Sequence, residues 1–244
     1  MAQNYKICLT YLILKKDSFK HFGGQTECLL SQCLLNINLL LHVMRPENFK
    51  LIVITPEKEI TEEANLLTNL FESGLQLLHL RKPDYTINEI RNLITDIPAI
   101  FHPKIVLHSH YELLNDFNLK GIHLPEKLRL EGNTKQIKNI VSTSFHKIED
   151  ILSTKTNFEY AFLSPIFQSI SKEGYEPVIK PNVLKDFFRL NKINFPVIAL
   201  GGITDQNVIQ VRDIGFFGAA CIGYVWENPN PIQQFKKLQK LIQG

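Results

Sequence analysis

Two glycine-ended runs carry the clearest chemistry in this chain: Ala199-Leu-Gly-Gly-Ile-Thr204 and, some fifteen residues on, Gly218-Ala-Ala-Cys-Ile-Gly-Tyr224. Each closes a short apolar stretch, and the helical pattern Asp205–Asp213 lies between them. Backbone without side chains at a helix start lets a phosphate reach the N–H groups, so Gly201, Gly202, Ile222 and Gly223 read as a phosphate cup. Arg81 and Lys172 add cationic donors, and Ser144, Ser169 and Ser171 add hydroxyls. That set suits a phosphate or a pyrophosphate. His79, His108, His110, His123 and His146 offer acid–base groups that titrate near neutral pH.

Something must bring these groups together. From Met44 onward, short β-rich runs alternate with amphipathic stretches. Strands are expected at Phe49–Thr55, Leu75–Arg81, Lys104–His108, Gly121–Leu124, Val141–Ser144, Tyr160–Ser164, Pro196–Leu200 and Gly218–Ile222. Helices are expected after the first three and the last four, with Glu126–Asn139 less clear. Thr61–Ser73 puts Ala64, Leu67, Leu70 and Phe71 on one side and ends at Gly74, and Thr86 is placed to cap the next helix. Runs with little apolar–polar alternation imply strands buried on both faces, as in a parallel sheet. Eight βα units make one α/β domain, a (β/α)₈ TIM barrel over 44–244. Its chemistry belongs at the C-terminal strand ends, where the residues above fall.

Length, 244 residues, allows one such barrel. Apolar and charged contents of 44% and 21% are ordinary for a globular domain, and a net charge of +3 gives no reason to invoke nucleic acid. Cys8, Cys28, Cys33 and Cys221 show no metal-ligand spacing and no disulfide framework, which fits a reducing, cytoplasmic setting. Cys221 reads as a small core residue. Residues 1–43 read as a poorly structured or weakly helical extension, with neither a membrane span nor a signal peptide.

The motifs His79-Leu-Arg81, Gly121-Ile-His-Leu124, Ser144-Phe-His146, Ser164-Pro-Ile-Phe167 with Ser169-Ile-Ser-Lys172, and Ala199-Leu-Gly-Gly-Ile203 occur in this order. Together they resemble the thiamine phosphate synthase/TenI family over about 200 residues. The pairing of "Pro-Ile-Phe … Ser-x-Ser-Lys" with "Ala-Leu-Gly-Gly-Ile" is the most specific part. The resemblance implies thiamine biosynthesis. A transferase of this kind couples a thiazole phosphate to a hydroxymethylpyrimidine diphosphate and releases pyrophosphate. It implies that Arg81 and Lys172 grip the diphosphate, that Ser144 lies near the pyrophosphate, and that Ser169 and Ser171 lie near the thiazole phosphate. Small-molecule substrates are implied, with no nucleic acid and no membrane. A homodimer is among the assemblies left open.

The departures from the family pattern bear on the chemistry. Where the synthase has Asn-Asp after strand three, this chain has His108-Ser109, and Leu128 stands at the second metal aspartate. The resemblance implies Mg²⁺, but both of its carboxylates are replaced, so no residue is assigned to a metal. Glu126 lies about two residues out of place for that role. His79 replaces a pyrimidine-contacting glutamine, Pro83 replaces a lysine, and Lys82 falls on the opposite strand face. These changes lean toward the TenI branch, isomerases that tautomerise the thiazole phosphate, yet that branch's strand-six histidine is Pro165 here. His79 and His108 are therefore candidates for replacement acid–base groups, and His123, inside a motif both branches share, reads as structural. A non-catalytic binding protein for thiazole or thiamine phosphate is the reading from another class.

Overall fold

A computed structural model describes residues 49–132, 137–168 and 179–243. They belong to one compact unit, Glu47–Gly244. The expected extension 1–43 lies outside the described residues, as do Ser169, Ser171 and Lys172.

Eight parallel strands close into a barrel in chain order: β1 (Lys50–Ile54), β2 (Leu77–Leu80), β3 (Ile105–Leu107), β4 (Gly121–Leu124), β5 (Ile140–Phe145), β6 (Tyr160–Leu163), β7 (Val197–Leu200) and β8 (Gly218–Cys221). The ring closes through β1–β8 pairing, with Leu51 opposite Ala219. All eight expected strands are present. The helices are α1 (Glu63–Glu72), α2 (Ile87–Thr95), α3 (Glu126–Glu131), α4 (Ile148–Ser153), α5 (Pro181–Leu190), α6 (Val208–Ile214), α7 (Gly223–Trp226) and α8 (Pro231–Gln243).

One expectation fails. The helix expected after β3 is a five-residue 3₁₀ turn, Tyr111–Asn115. His110 enters it with a left-handed φ of 52°, and thirteen residues separate β3 from β4. Elsewhere the local signals hold. Thr86 and Glu89 form a reciprocal capping box on α2, and Gly74 leaves α1 with φ +98°.

Strand periodicity sorts the side chains into two apolar cores. Leu51, Val53, Leu78, Leu80, Leu107, Ala161 and Leu163 point outward and pack with the helices. Ile52, Ile54, Leu77, Val106, Tyr160, Phe162, Ile198 and Ala220 point inward. The same alternation sends His79 and Arg81 inward and Lys82 outward. Lys82 is fully buried against α1, 2.8 Å from the Glu63 carboxylate, and donates to the Lys58 carbonyl at 2.7 Å. It is thus a structural ion pair under the mouth, on the face away from it. Cys221 is a buried strand residue whose thiol burial pushes up to about 12.

Candidate functional site at the barrel mouth

Several inward positions of β2, β4, β5 and β6 are polar, alongside the apolar Val106 of β3 and Phe162 of β6. His79 is the penultimate residue of β2 and is wholly buried. Its Nδ1 lies 2.8 Å from His108 Nε2, and its Nε2 lies 2.6 Å from the Tyr160 hydroxyl. His123 shares hydrogen bonds with two hydroxyls of β5, through Nδ1 with Ser142 at 2.9 Å and through Nε2 with Ser144 at 3.0 Å. His108 and His123 stack, with ring centroids 4.3 Å apart. Ser142 is the cross-strand partner of Tyr160.

Burial holds His79 and His108 well below the ordinary imidazole range, and the neighbouring His123 adds to both shifts. His123 is held down at about 3, by burial first and then by the Arg81 charge. Burial raises the Tyr160 phenol. At neutral pH the cluster is therefore uncharged throughout. It is a hydrogen-bonded set of neutral donors and acceptors reaching the mouth at His108 and Ser144, both partly exposed.

Arg81 continues β2 beyond His79, and its side chain is 39% exposed and ion-paired with Glu57. Its backbone is fixed by Thr55, whose Oγ1 accepts from the Arg81 N–H at 2.8 Å. Glu126, at the start of α3, binds Arg129 at 3.2 Å and lies 3.6 Å from His146 Nε2. Leu128 is 36% exposed beside it. His110 and His146 stand apart from the cluster. His110 Nε2 hydrogen-bonds the Tyr85 carbonyl, and His146 Nδ1 the Ser164 carbonyl.

The glycine side is built differently. Gly201 and Gly202 have φ of +98° and +63°, conformations that L side chains rarely adopt. The loop after β6 also packs on them. Ile166 N–H donates to the Leu200 carbonyl at 3.0 Å and Phe167 N–H to that of Gly201 at 3.2 Å. A Cβ on Gly202 would run into the Gln168 carbonyl and the Phe167 side chain. These glycines answer a packing demand as well as any ligand. Asn207 braces the turn, donating to the Gly202 carbonyl at 2.8 Å and accepting from Thr204 N–H at 2.9 Å. Gly223 opens α7 beside Ile222, and the Glu227 carboxylate stands 3.0 Å from where a Gly223 Cβ would be. Trp226 donates to the Ile54 carbonyl at 2.8 Å and ties α7 to the end of β1.

Residues 51–225 match the family described as thiamine monophosphate synthase. The chain belongs to that family. A crystal structure of thiamine phosphate pyrophosphorylase from Bacteroides thetaiotaomicron is similar at 35% identity, with 80% of this chain and 98% of that one covered and a TM-score of 0.67. Thiamine-phosphate synthases from Dictyoglomus turgidum and Flavobacterium psychrophilum are 23% and 25% identical, covering 81% and 78% of this chain and 92% and 98% of theirs. The thiamine monophosphate synthase fold accounts for the barrel and its mouth, and among the described residues no helix is long and apolar enough to cross a membrane.

Set against the residues expected from sequence, the structure brings His79, His108 and Ser144 into one cluster with His123, as two hydrogen-bonded sets joined by ring contacts. It puts Arg81 at the rim of that side, and Gly201, Gly202, Ile222 and Gly223 at the ends of β7 and β8. Tyr160 and Ser142 were not anticipated. Their signal was strand alternation: Ser142 precedes Ser144 by two residues, and Tyr160 precedes inward Phe162 by two. Glu57, the partner of Arg81, carried no signal in sequence.

Proposed function

We propose that this protein acts in thiamine biosynthesis as a thiamine-phosphate synthase, binding thiazole phosphate at the mouth and coupling it to hydroxymethylpyrimidine diphosphate with release of pyrophosphate. The observation that carries the reading is the family match over residues 51–225, supported by 35% identity to a thiamine phosphate pyrophosphorylase across 98% of that chain. In the reaction, the bond from the pyrimidine methylene to the diphosphate oxygen breaks, its electron pair leaves with pyrophosphate, and the thiazole nitrogen bonds the methylene carbon. No strong base is required. What the protein must supply is positive charge for the leaving group.

Arg81 is the described cation best placed for that task, and it must exchange Glu57 for the diphosphate. Lys172, Ser169 and Ser171 are assigned by the resemblance to the same two phosphates. Gly201 and Gly202 keep side chains away from the ends of β7 and α6. Glu227 beside Gly223 opposes an anion there, so we place the ligand phosphate nearer the β7 turn.

The described donors do not suit Mg²⁺, which takes oxygen ligands, usually one or two carboxylates with substrate phosphates. At the two family positions stand Ser109 and Leu128. Glu126 is already held by Arg129, and Glu57 by Arg81. We therefore derive no step through that ion. The test is direct: incubation with both substrates should yield thiamine phosphate and pyrophosphate. A protein that neither forms product nor binds thiazole phosphate by calorimetry would overturn the reading.

A further inference from the structure

Coupling makes no use of the buried histidines, yet the fold brings three of them together from β2, the end of β3 and β4. We propose that His79, His108 and His123 form a site for one divalent transition metal, zinc above all, with a fourth position open at the mouth. Coupling draws nothing from this ion, so the site is tested separately from the proposed function.

Strand register makes the three converge. His79 pairs with Val106, and the same inward alternation carries His108 past the end of β3. His123 lies on β4 beside them. Each offers a ring nitrogen, and these nitrogens all lie within 4.8 Å of one another. His79 and His123 are buried, and His108 is half-buried toward the mouth.

Two of the rings are anchored from behind. The Tyr160 hydroxyl lies 2.6 Å from His79 Nε2, which leaves Nδ1 facing His108 Nε2 at 2.8 Å. Ser142 Oγ lies 2.9 Å from His123 Nδ1, which leaves Nε2 on the side of Ser144 at 3.0 Å. A metal-bound imidazole gives its other ring N–H to a partner of this kind, which fixes the ring and raises its basicity. His79 Nδ1, His108 Nε2 and His123 Nε2 are thus the three donors, with Tyr160 and Ser142 behind two of them. The group contains no carboxylate. Imidazole nitrogen suits zinc, copper, iron and nickel, and three such ligands with one open position is an arrangement of reactive zinc. Magnesium and calcium require oxygen ligands and are disfavoured.

The competing use is a polar core closed by its own hydrogen bonds, with one proton between His79 and His108. Hydrogen bonding alone gives no reason for three imidazoles to converge on one point with hydroxyls behind two of them. The metal takes the place of the shared proton. Donors on tetrahedral zinc stand about 3.3 Å apart, from bonds of about 2.0 Å, so the 2.8 Å pair opens slightly and His123 draws in. His108 and His123 stack with planes 19° apart, so one ring must tilt for both lone pairs to meet at one ion. His108 has the freedom to do so, because it follows β3 in a loop while the other two lie on strands. Ser144 then releases His123 Nε2 and faces the fourth position, which takes water or a small anion. The Arg81 charge reaches His108 and His123 and opposes a bare dication, which favours the anion.

The probes are Zn²⁺ and Co²⁺ alone, added to the tag-free full chain. One equivalent should bind and survive dialysis, and Co²⁺ should show the visible bands of a tetrahedral site without a thiolate charge-transfer band. His79→Gln and His123→Gln should each abolish stoichiometric binding. Tyr160→Phe leaves all three ligands in place and should weaken Zn²⁺ binding about tenfold to a hundredfold. His110→Gln and His146→Gln, outside the cluster, should bind as the wild type does. X-ray absorption of the zinc-loaded, unmodified chain decides the matter where a variant does not fold. Nitrogen or oxygen neighbours at about 2.0 Å, with the multiple scattering of imidazole, support the site; sulfur at about 2.3 Å places the ion on cysteine and overturns it. Failure to retain any metal, or equal retention in wild type, His79→Gln and His123→Gln, also overturns it and leaves a hydrogen-bonded core.

Discussion

The two sides of the barrel interior are built for different work. On β2, β4, β5 and β6 the polar inward side chains are His79, His123, Ser142, Ser144 and Tyr160, with His108 just past β3, hydrogen-bonded around His79 and His123 and uncharged. On β7, β8 and β1 they are Ile198, Ala220, Ile52 and Ile54, and the strands end in glycine or in backbone held by a loop. One side is a buried polar network; the other is backbone with room around it. The polar side is expensive to assemble, because each buried hydroxyl or imidazole left unpaired costs about 1–3 kcal/mol. That explains why its members come as a closed set, whereas the glycine side needs only room and turn geometry.

The largest expected effect separates the two faces of the β2 end. Lys82→Met leaves Glu63 buried without its partner and should cost about 3–5 kcal/mol, read as a fall in urea midpoint at constant m-value. Because Lys82 faces α1, coupling by the fraction still folded should keep its rate; a rate that falls with stability unchanged would place Lys82 in the site. Arg81→Ala tests the neighbouring inward position. Its coupling rate should drop about a hundredfold, near 3 kcal/mol of transition-state stabilisation, with a thermal midpoint close to wild type.

The polar side also sets a pH dependence. His79, His108 and His123 have folded pKa values below the unfolded value of about 6.5, so below that pH the unfolded chain binds more protons. Stability should be full above about pH 6.5 and fall as pH drops, continuing toward about 3, where His123 itself protonates. Glu63, raised by burial, acts in the opposite sense, but it is one group against three. Urea midpoints from pH 8 to 4 check this, and a His123→Asn variant should flatten the slope. A midpoint that rises on acidification would contradict the buried neutral cluster. The smallest effect belongs to the glycine side. Glu227→Gln removes the carboxylate beside Gly223, and thiazole phosphate affinity should rise about twofold to fivefold, the range of a surface charge contact. Unchanged affinity would mean the Glu227 charge does not reach the phosphate and would remove the reason for placing it nearer the β7 turn.

Sequence legibility followed the same division. The eight strands were readable because their apolar runs are short and bounded by turn residues, and β4 was read to the residue. Strand ends also revealed His79, Arg81, His108 and the glycines, since chemistry in this fold collects there. The polar cluster was hidden because it is a property of neighbouring strands: His123 meets Ser142 only through the β4–β5 register, which shifts between Ile122 and His123. Taken alone, His123 read as structural and Ser142 and Tyr160 as plain strand residues. The turn after β3 defeated a periodicity argument: Tyr111, Leu113 and Leu114 carry apolar spacing, yet the chain closes only a five-residue 3₁₀ turn there, entered through His110 at a left-handed φ. The packing of Phe167 and Gln168 on Gly202 was equally invisible, since a glycine needed for room and one needed for a ligand look alike in sequence.

The central claim is that this mouth couples thiazole phosphate to hydroxymethylpyrimidine diphosphate without the family's metal carboxylates. The most direct measurement is the initial rate of thiamine phosphate formation with both substrates, in Mg²⁺ and again in excess EDTA. Slow product formation that changes little on chelation is the predicted result. Fast turnover that stops on chelation would contradict it.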